Sequence, residues 1–320
     1  MLGVPAIMVY NFATAIITAG GDTKRPLYYM IISGASNVVL NFILLNFLEQ
    51  KVLAVAIATA VSQVIGATLC MIRLMTSNDE CSFRLKGMRF SFASFKKITK
   101  NGLPLAVSSA LYPFSNLQIQ TQINELGSAV VAGSAAASNI ESIVASLGSS
   151  AMASTVTVFA GYNIGAKRPE RVKKSIIACL ALGAGVSVVA GIVCYMFSAP
   201  IASLYVSGDD SIKAAQVRIL TNVLFYFIAS AQGVIGHAIQ SFGYAFLSTF
   251  NSIFWVFVFR IFWMFVIYPP LKDLSAPFES MFWIAVCWPI SWTCVLLTNV
   301  VFFFFLYYKR FKKGRLKNVG

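Results

Sequence analysis

The stretch AGGDTKRPL, residues 19–27, separates two long apolar runs, MLGVPAIMVYNFATAIIT before it and YYMIISGASNVVLNFILLNFL after it. Gly20 and Gly21 predict the end of one helix, because glycine readily takes the left-handed conformation that closes a helix. Asp22 or Thr23 predicts the cap of the next helix, and Pro26 suits its first turn. Each flanking run is about long enough to cross a bilayer as a helix, for which about 20 residues suffice. The stretch therefore predicts a tight polar turn between two membrane-crossing helices.

The composition excludes a large soluble domain. The chain has 320 residues, of which 58% are hydrophobic and 11% charged, whereas about a quarter of the residues in a soluble domain are charged. Small-residue runs interrupt the fifth apolar segment, and Pro200 breaks the sixth. Since lipid offers no partners to backbone groups, every segment is expected to be helical. The nine segments are 4–20, 27–48, 52–74, 103–126, 130–162, 172–206, 214–241, 245–270 and 279–308.

Alternate connectors between these segments differ sharply in basic charge. Twenty lysines and arginines fall in one set, formed by residues 21–26, 73–102, 163–174, 241–244 and 309–320. The other set holds four, Lys51, Lys213, Arg218 and Lys272, and Arg260 alone lies inside a span. Because basic loops stay in the cytoplasm, the first set and the C-terminus are predicted to be cytoplasmic in a multi-pass plasma-membrane protein. The net charge of +14 then reflects topology and attraction to anionic lipid, and needs no nucleic acid.

The same pattern predicts four regions. Residues 1–75 form a partial N-terminal bundle of three helices, and residues 76–102 form a basic cytoplasmic linker. Residues 103–308 form a six-helix bundle, followed by a basic cytoplasmic tail at 309–320. Five of the six cysteines lie in apolar runs and are predicted to be buried, small apolar side chains, while Cys81 lies in the basic linker. Their spacing predicts neither a disulfide framework nor a zinc site.

A weak internal repeat links the two bundles. ITAGGDTKRPLYYMIISGASNVVL, residues 17–40, and IQSFGYAFLSTFNSIFWVFVFRIF, residues 239–262, both place a glycine four residues after an isoleucine, at a short turn before a long helix. Repeated halves are common in membrane transporters.

Three motifs in order carry a resemblance to a known family. GGDTKRPLYYMIISGASNVVLNFIL (20–44) resembles the turn after the fourth helix of multidrug and toxic compound extrusion (MATE) transporters, and NGLPLAVSSALYPFSN (101–116) resembles the start of their seventh helix. FAGYNIGAKRPERVKKS (159–175) resembles their turn between the eighth and ninth helices. The resemblance covers nearly the whole chain.

This resemblance implies an all-α integral membrane protein with about nine transmembrane helices. The family has twelve, so the chain would hold an incomplete first bundle and a complete six-helix second bundle, with a further N-terminal segment as its partner. The implied activity is export of small organic, often cationic, compounds in exchange for H⁺ or Na⁺, with no other cofactor. Positions that carry acids in the sodium-coupled branch correspond here to Tyr112 and Ala231, which are not acidic, so the coupling ion is left open.

Ionisable side chains inside spans are costly and often functional. Glu141 is the best candidate for binding the coupling cation, beside Asn139, although a structural pair is the alternative. Arg260 either pairs within the bundle or reaches an interface. His237, the sole histidine, suits proton transfer or simple packing. Further cavity or coupling candidates are Asn37, Asn41, Asn163, Gln118, Gln122, Tyr112 and Gln240.

Two other functions are considered. A lipid or polysaccharide-precursor flippase would need a large basic cavity, and Arg260 is the only base predicted in the middle of a span. An intramembrane enzyme would need clustered histidines and carboxylates or a nucleophile elbow, and neither pattern occurs. The sequence therefore favours an exporter embedded in the lipid bilayer that moves small organic, often cationic, compounds in exchange for an ion.

Overall fold

The computed structural model describes residues 3–77, 82–84 and 90–308, and all regular structure within them is helical. Nine long helical segments fall where the nine apolar runs predict them, which confirms the all-α membrane fold for the described residues. They are α1 (Val4–Ala19), α2 (Lys24–Phe47), α3 (Lys51–Thr76), α4 (Phe92–Asn124), α5 (Ser128–Gly165), α6 (Pro169–Met196), α7 (Asp209–Ser241), α8 (Ala245–Ile267) and α9 (Pro277–Tyr307). Cys81, Lys86, Arg89 and the tail 309–320 lie outside the described residues.

Seven of these helices are long and apolar enough to cross a membrane. The two exceptions have different reasons. Helix α1 has 16 residues and is short, whereas α4 has 33 residues but contains lysines in its first turns and several serine, asparagine and glutamine residues further on. Many large apolar side chains point outward, including Phe42, Phe47 and Leu204. Such side chains suit contact with lipid, where exposing them costs nothing.

The chain divides into two compact units, residues 1–91 and 92–320. In the first unit, Ala13 and Ile17 of α1 pack against Cys70 and Leu74 of α3 in a small buried cluster. In the second unit, the six helices α4–α9 enclose two larger clusters of buried apolar side chains. Five cysteines fall within the described residues, all of them free and four of them buried, as their apolar surroundings predict.

Helix α4 begins at Phe92, inside the stretch 76–102 that the sequence predicts to be a linker. The reason is its periodicity. Phe92, Phe95 and Ile98 recur every three residues, and the lysines at 96, 97 and 100 lie between or after them, which is an amphipathic pattern. Average hydropathy misses such a helix, because the lysines cancel the apolar residues when the whole stretch is averaged.

The small-residue runs do not interrupt the fifth segment. Helix α5 is continuous, and only Ser146–Ser150 within it is wound as a π-helix. The sixth segment does break near Pro200: α6 ends at Met196, and a six-residue helix, Ser198–Ser203, follows it. Two further π-helical stretches, Ile253–Val258 and Trp263–Ile267, lie in α8.

The turn in AGGDTKRPL has the predicted form. Gly21 has φ +92°, and the backbone N–H of Asp22 donates to the carbonyl of Ile17 at 3.3 Å. Asp22 then accepts from the backbone N–H of Arg25 at 3.2 Å, so the aspartate caps α2, and the Thr23 side chain makes no cap bond. The repeat predicts the same turn after α7. Gly243 has φ +88°, and Tyr244 donates to Ile239 at 3.3 Å.

A third turn of this kind, after α5, has a lysine at the left-handed position. Lys167 has φ +55°, and the N–H of Arg168 donates to the carbonyl of Asn163 at 2.9 Å. A side chain in this conformation costs about 1 kcal/mol that glycine avoids.

We expect Lys167→Gly to raise the free energy of unfolding by up to about 1 kcal/mol, which thermal unfolding of the purified protein would show as a higher midpoint. Lys173→Gly is the matched control, because Lys173 is exposed within α6 and in ordinary helical conformation, where the same change is expected to lower the free energy of unfolding by about 1 kcal/mol. A lower midpoint for Lys167→Gly would contradict the role given to this turn.

Candidate functional site

A cavity of about 560 Å³ lies within the second unit, among α4, α5, α7, α8 and α9. We call it the charged cavity, because three charged side chains line it: Glu141 from α5, Arg218 from α7 and Arg260 from α8. The rest of the described lining consists of small and aliphatic residues of α4 and α5 together with amide and aromatic side chains, the latter being Asn116, Gln120, Asn139, Tyr112, Tyr226, Trp288 and Trp292. Polar groups inside a membrane-embedded bundle usually serve a function, because leaving them unsatisfied in lipid is costly.

Glu141 and Arg218 form a buried ion pair with two parallel hydrogen bonds. Arg218 Nη2 donates to Glu141 Oε2 at 2.7 Å, and Arg218 Nε donates to Oε1 at 3.1 Å. The two residues are 6% and 7% exposed, respectively. This fork-to-carboxylate geometry is the strongest arrangement available to such a pair. It joins the middle of α5 to the first half of α7.

Neighbouring groups satisfy most of the remaining hydrogen-bonding capacity of the pair. Asn222, one turn after Arg218, donates from Nδ2 to Glu141 Oε1 at 2.8 Å. Arg218 Nη1 donates to the hydroxyl of Ser134 at 2.7 Å, and the guanidinium carbon lies 4.7 Å from the centre of the Trp288 ring. A buried pair of charges is tolerated when such partners surround it.

Close packing of α5 on α7 brings these side chains together. A Cβ atom on Gly133 would lie 2.2 Å from the backbone oxygen of Ser211 and 2.8 Å from the side chain of Ala214. Only glycine fits so close a contact. Because residues seven apart share a face of a helix, this approach aligns Ser134 and Glu141 opposite Arg218.

The structure corrects one charge assignment. Counting Arg218 with the connector residues leaves Arg260 as the only base within a span, although the predicted span 214–241 contains Arg218. The structure buries Arg218 within α7. The spacing of Ala214, Arg218 and Asn222 was the available signal, since these residues share a helical face with small side chains.

Arg260 lies in a four-residue α-helical stretch, Phe259–Phe262, between the two π-helical stretches of α8. It is 3% exposed, and its Nε donates to the hydroxyl of Ser291 at 3.0 Å. No carboxylate in the described part of the chain forms an ion pair with it. Arg260 therefore carries a buried charge that the described residues do not neutralise.

A second cavity of about 340 Å³ lies between α4, α5, α7, α8 and α9. We call it the uncharged cavity, since its described lining contains no acid, lysine or arginine. His237 and Gln240 line it, and Tyr112 lines both cavities. The ring nitrogen Nδ1 of His237 lies 3.0 Å from the hydroxyl of Thr157, which also lies 3.0 Å from the carbonyl of Ala153. If the hydroxyl donates to that carbonyl, Nδ1 carries the proton and Nε2 is left as an acceptor.

The remaining predicted site residues lie elsewhere. In the first unit, Asn37 donates to Ser62 at 3.3 Å and Asn41 donates to Asn37 at 3.0 Å, which joins α2 to α3. Asn163 donates to the carbonyl of Phe159 at 2.8 Å, near the end of its own helix. Gln118 and Gln122 line neither cavity, and their neighbours Asn116 and Gln120 line the charged one. The face of α4 that lines the cavity therefore carries Asn116 and Gln120, and it lies about half a turn away from the predicted face with Gln118 and Gln122.

We expect Glu141→Gln and Arg218→Met each to lower the free energy of unfolding by about 3–5 kcal/mol, because each leaves an unpaired buried charge. The double variant Glu141→Gln/Arg218→Met removes both charges and is expected to recover most of that loss. Thermal unfolding of the four proteins in detergent would measure the coupling. Additive effects of the two changes would contradict a direct pair.

The comparisons with known proteins agree with this fold. The sequence model of the MatE family matches residues 104–266. The chain is 23% identical over 257 residues to the Bacillus subtilis protein named "Probable multidrug resistance protein YoeA", covering 78% of this chain and 55% of that protein. It is also 23% identical over 211 residues to the FAD transporter of Shewanella oneidensis, covering 64% and 46%.

Solved structures show the same architecture. The chain superposes on the structure titled "Crystal structure of MATE in the bent conformation" with a TM-score of 0.81 and 17% identity, over 96% of this chain and 68% of that one. Identity this low shows the fold alone. The chain spans about half the length of the curated relatives that it matches. Since the family model covers just over half of the chain, this multi-pass membrane protein belongs to the MatE family of transporters.

Proposed function

We propose that this protein is a secondary active transporter that exports small organic compounds, and that the charged cavity holds the substrate. A cavity of about 560 Å³ lies within the usual range for small-molecule sites, about 300–1,000 Å³. The names of the relatives support the class, since one refers to multidrug resistance and another to FAD. Movement of helices about a cavity near the middle of the bilayer is the general mechanism of such proteins.

We infer that the coupling ion is a proton and that Glu141 accepts it. Both carboxylate oxygens already accept hydrogen bonds from Arg218, and Oε1 also accepts one from Asn222. A sodium ion would have to displace the guanidinium, whereas a proton needs only one lone pair. Asn222 Oδ1 has no hydrogen-bond partner among the described residues. Rotating that amide by half a turn would let the oxygen accept a bond from the protonated carboxyl.

Protonation then has a structural consequence. It removes the negative charge that holds Arg218, so it weakens the contact between α5 and α7 and changes the shape of the charged cavity. A proton can shift the equilibrium between two states only if it binds one more tightly than the other. Breaking the Glu141–Arg218 pair supplies that difference.

The charge of the substrate is a separate question. The cationic substrate implied by the family resemblance needs a carboxylate that is free to pair with it, and Arg218 already neutralises Glu141. A flippase of lipids or polysaccharide precursors needs a broad basic surface, and the described lining holds two arginines and one carboxylate. We therefore propose small organic compounds as the class, exported across the plasma membrane.

Membrane vesicles that contain the protein would test the transporter and its coupling. We expect an imposed pH gradient to drive movement of a fluorescent aromatic compound, and a protonophore to abolish it. The double variant Glu141→Gln/Arg218→Met should lose about ten-fold or more of the gradient-dependent rate, because the proton site is gone. Glu279→Gln, which changes an exposed acid at the start of α9, is the control and should keep the rate.

Two results would count against this proposal. Movement driven equally well by a sodium gradient at uniform pH would show that the proton assignment is wrong. No gradient-dependent movement of any tested aromatic compound by the unaltered protein would remove the transporter assignment for this chain.

We also propose that the C-terminus and the turn at residues 166–168 are cytoplasmic, because basic residues gather there. A single cysteine placed at Ala166 is expected to react with a membrane-impermeant maleimide only in inverted vesicles. One placed at Gly208, at the opposite end of α6, is expected to react only in right-side-out vesicles. Reaction of both from the same side would contradict a membrane-crossing α6.

A further inference from the structure

We propose that Arg260 makes the charged cavity a binding site for a flat aromatic anion, a ring compound that carries a carboxylate, sulfonate or phosphate. This inference rests on the proposed role of the cavity as the substrate site. It goes further by assigning the charge and shape of the substrate, and by naming the residue that determines them.

The charge of the cavity is the first argument. Its described lining contains two guanidinium groups and one carboxylate. Arg218 and Glu141 neutralise each other through two hydrogen bonds. The charge of Arg260 is left over, so an anion would complete the balance and a cation would add to the imbalance.

The availability of Arg260 is the second argument. Its Nε donates to Ser291, but Nη1 and Nη2 have no hydrogen-bond partner among the described residues. Burying a charged group is costly unless a partner of opposite charge or good acceptors satisfy it. The two free nitrogens of a guanidinium lie in one plane and match the two oxygens of an oxyanion. The group therefore lacks what a bound carboxylate, sulfonate or phosphate would supply.

The aromatic lining is the third argument. The rings of Tyr226 and Trp292 lie 5.0 Å apart, and Trp288 carries the Arg218 guanidinium on its face. These side chains and Tyr112 all line the charged cavity. Flat apolar rings favour stacking with another ring. A small inorganic anion would meet Arg260 but leave this wall without contacts.

The local helix geometry supports the same site. Arg260 occupies the short α-helical stretch between two π-helical stretches of α8. π-Helical turns are rare and occur often at functional sites, because they move one side chain out of its regular register. Here they flank the residue that carries the unpaired charge.

A pair of probes with the same ring and opposite charge would test the inference. We expect the purified 320-residue chain in zwitterionic nanodiscs to bind naphthalene-2-sulfonate, measured by equilibrium dialysis, and to bind 2-naphthylmethylammonium at least about ten-fold more weakly. Arg260→Gln should weaken sulfonate binding about ten-fold, the effect of losing a charge-assisted hydrogen bond. Arg260→Lys should give an intermediate loss, since it keeps the charge without the fork.

Arg25→Gln is the matched control, because Arg25 is an exposed arginine paired with Asp22 in the first unit. It should leave sulfonate binding unchanged. Inorganic phosphate should compete poorly, because it cannot stack. A thermal scan would show whether Arg260→Gln unfolds. If it does, two measurements still test the anion site: the ratio of the dissociation constants of the two probes on the unaltered chain, and sulfonate binding by Arg260→Lys.

The outcomes separate this inference from the proposed function. Tighter binding of the cationic probe, or sulfonate binding unaffected by both Arg260 variants, would overturn the anion site and leave the transporter proposal standing. Failure of both probes to bind would remove the cavity as a substrate site and both proposals with it. Full displacement of the sulfonate by phosphatidylglycerol in the nanodisc would assign the site to a lipid headgroup instead of a soluble aromatic anion.

Discussion

The ion pair between Glu141 and Arg218 is the interaction on which the interior of the second unit depends. Neither charge is stable alone inside an apolar bundle. Together they join α5 to α7 through two hydrogen bonds from the Arg218 guanidinium to the Glu141 carboxylate, of 2.7 and 3.1 Å. The close approach at Gly133 makes this geometry possible. One wall of the charged cavity, with Ser134 and Asn139, takes its position from the same contact. The packing of α5 on α7, the pairing of the two charges and the shape of the cavity therefore depend on one another in this unit.

The two arginines of the cavity have different roles because their surroundings differ. Arg218 contacts a carboxylate, a hydroxyl and an aromatic face, so its charge is paired within the protein. Arg260 has one hydroxyl partner. The uncharged cavity nearby contains no such imbalance in its described lining. In the proposed function, selectivity for the charge of a substrate would therefore belong to the charged cavity, while Tyr112 lies at the boundary of both cavities.

Most of the fold follows from sequence because its determinants are local. Hydropathy and length locate the helices, and glycines after α1 and α7 locate turns that have the same hydrogen bonds, Asp22 to Ile17 and Tyr244 to Ile239. The start of α4 was missed because averaging conceals an amphipathic helix. The site is harder, since it depends on contacts between distant residues. The apolar surroundings of Glu141 marked it as a candidate, but nothing near it in the chain identifies Arg218, which lies 77 residues further on.

The presence of an ion pair at this contact favours a functional reading over a purely structural one. Apolar side chains of similar size would hold two helices together at least as well, because burying charges costs about as much as their attraction returns. An apolar contact, however, has no group that accepts a proton, and it places no arginine in the wall of a cavity. In the proposed mechanism, a proton on Glu141 breaks the Glu141–Arg218 pair. While the pair is intact, Arg260 is the only cavity charge without a counterion among the described residues. The pair costs stability relative to apolar packing, but it contains a group that can accept a proton, which apolar packing does not.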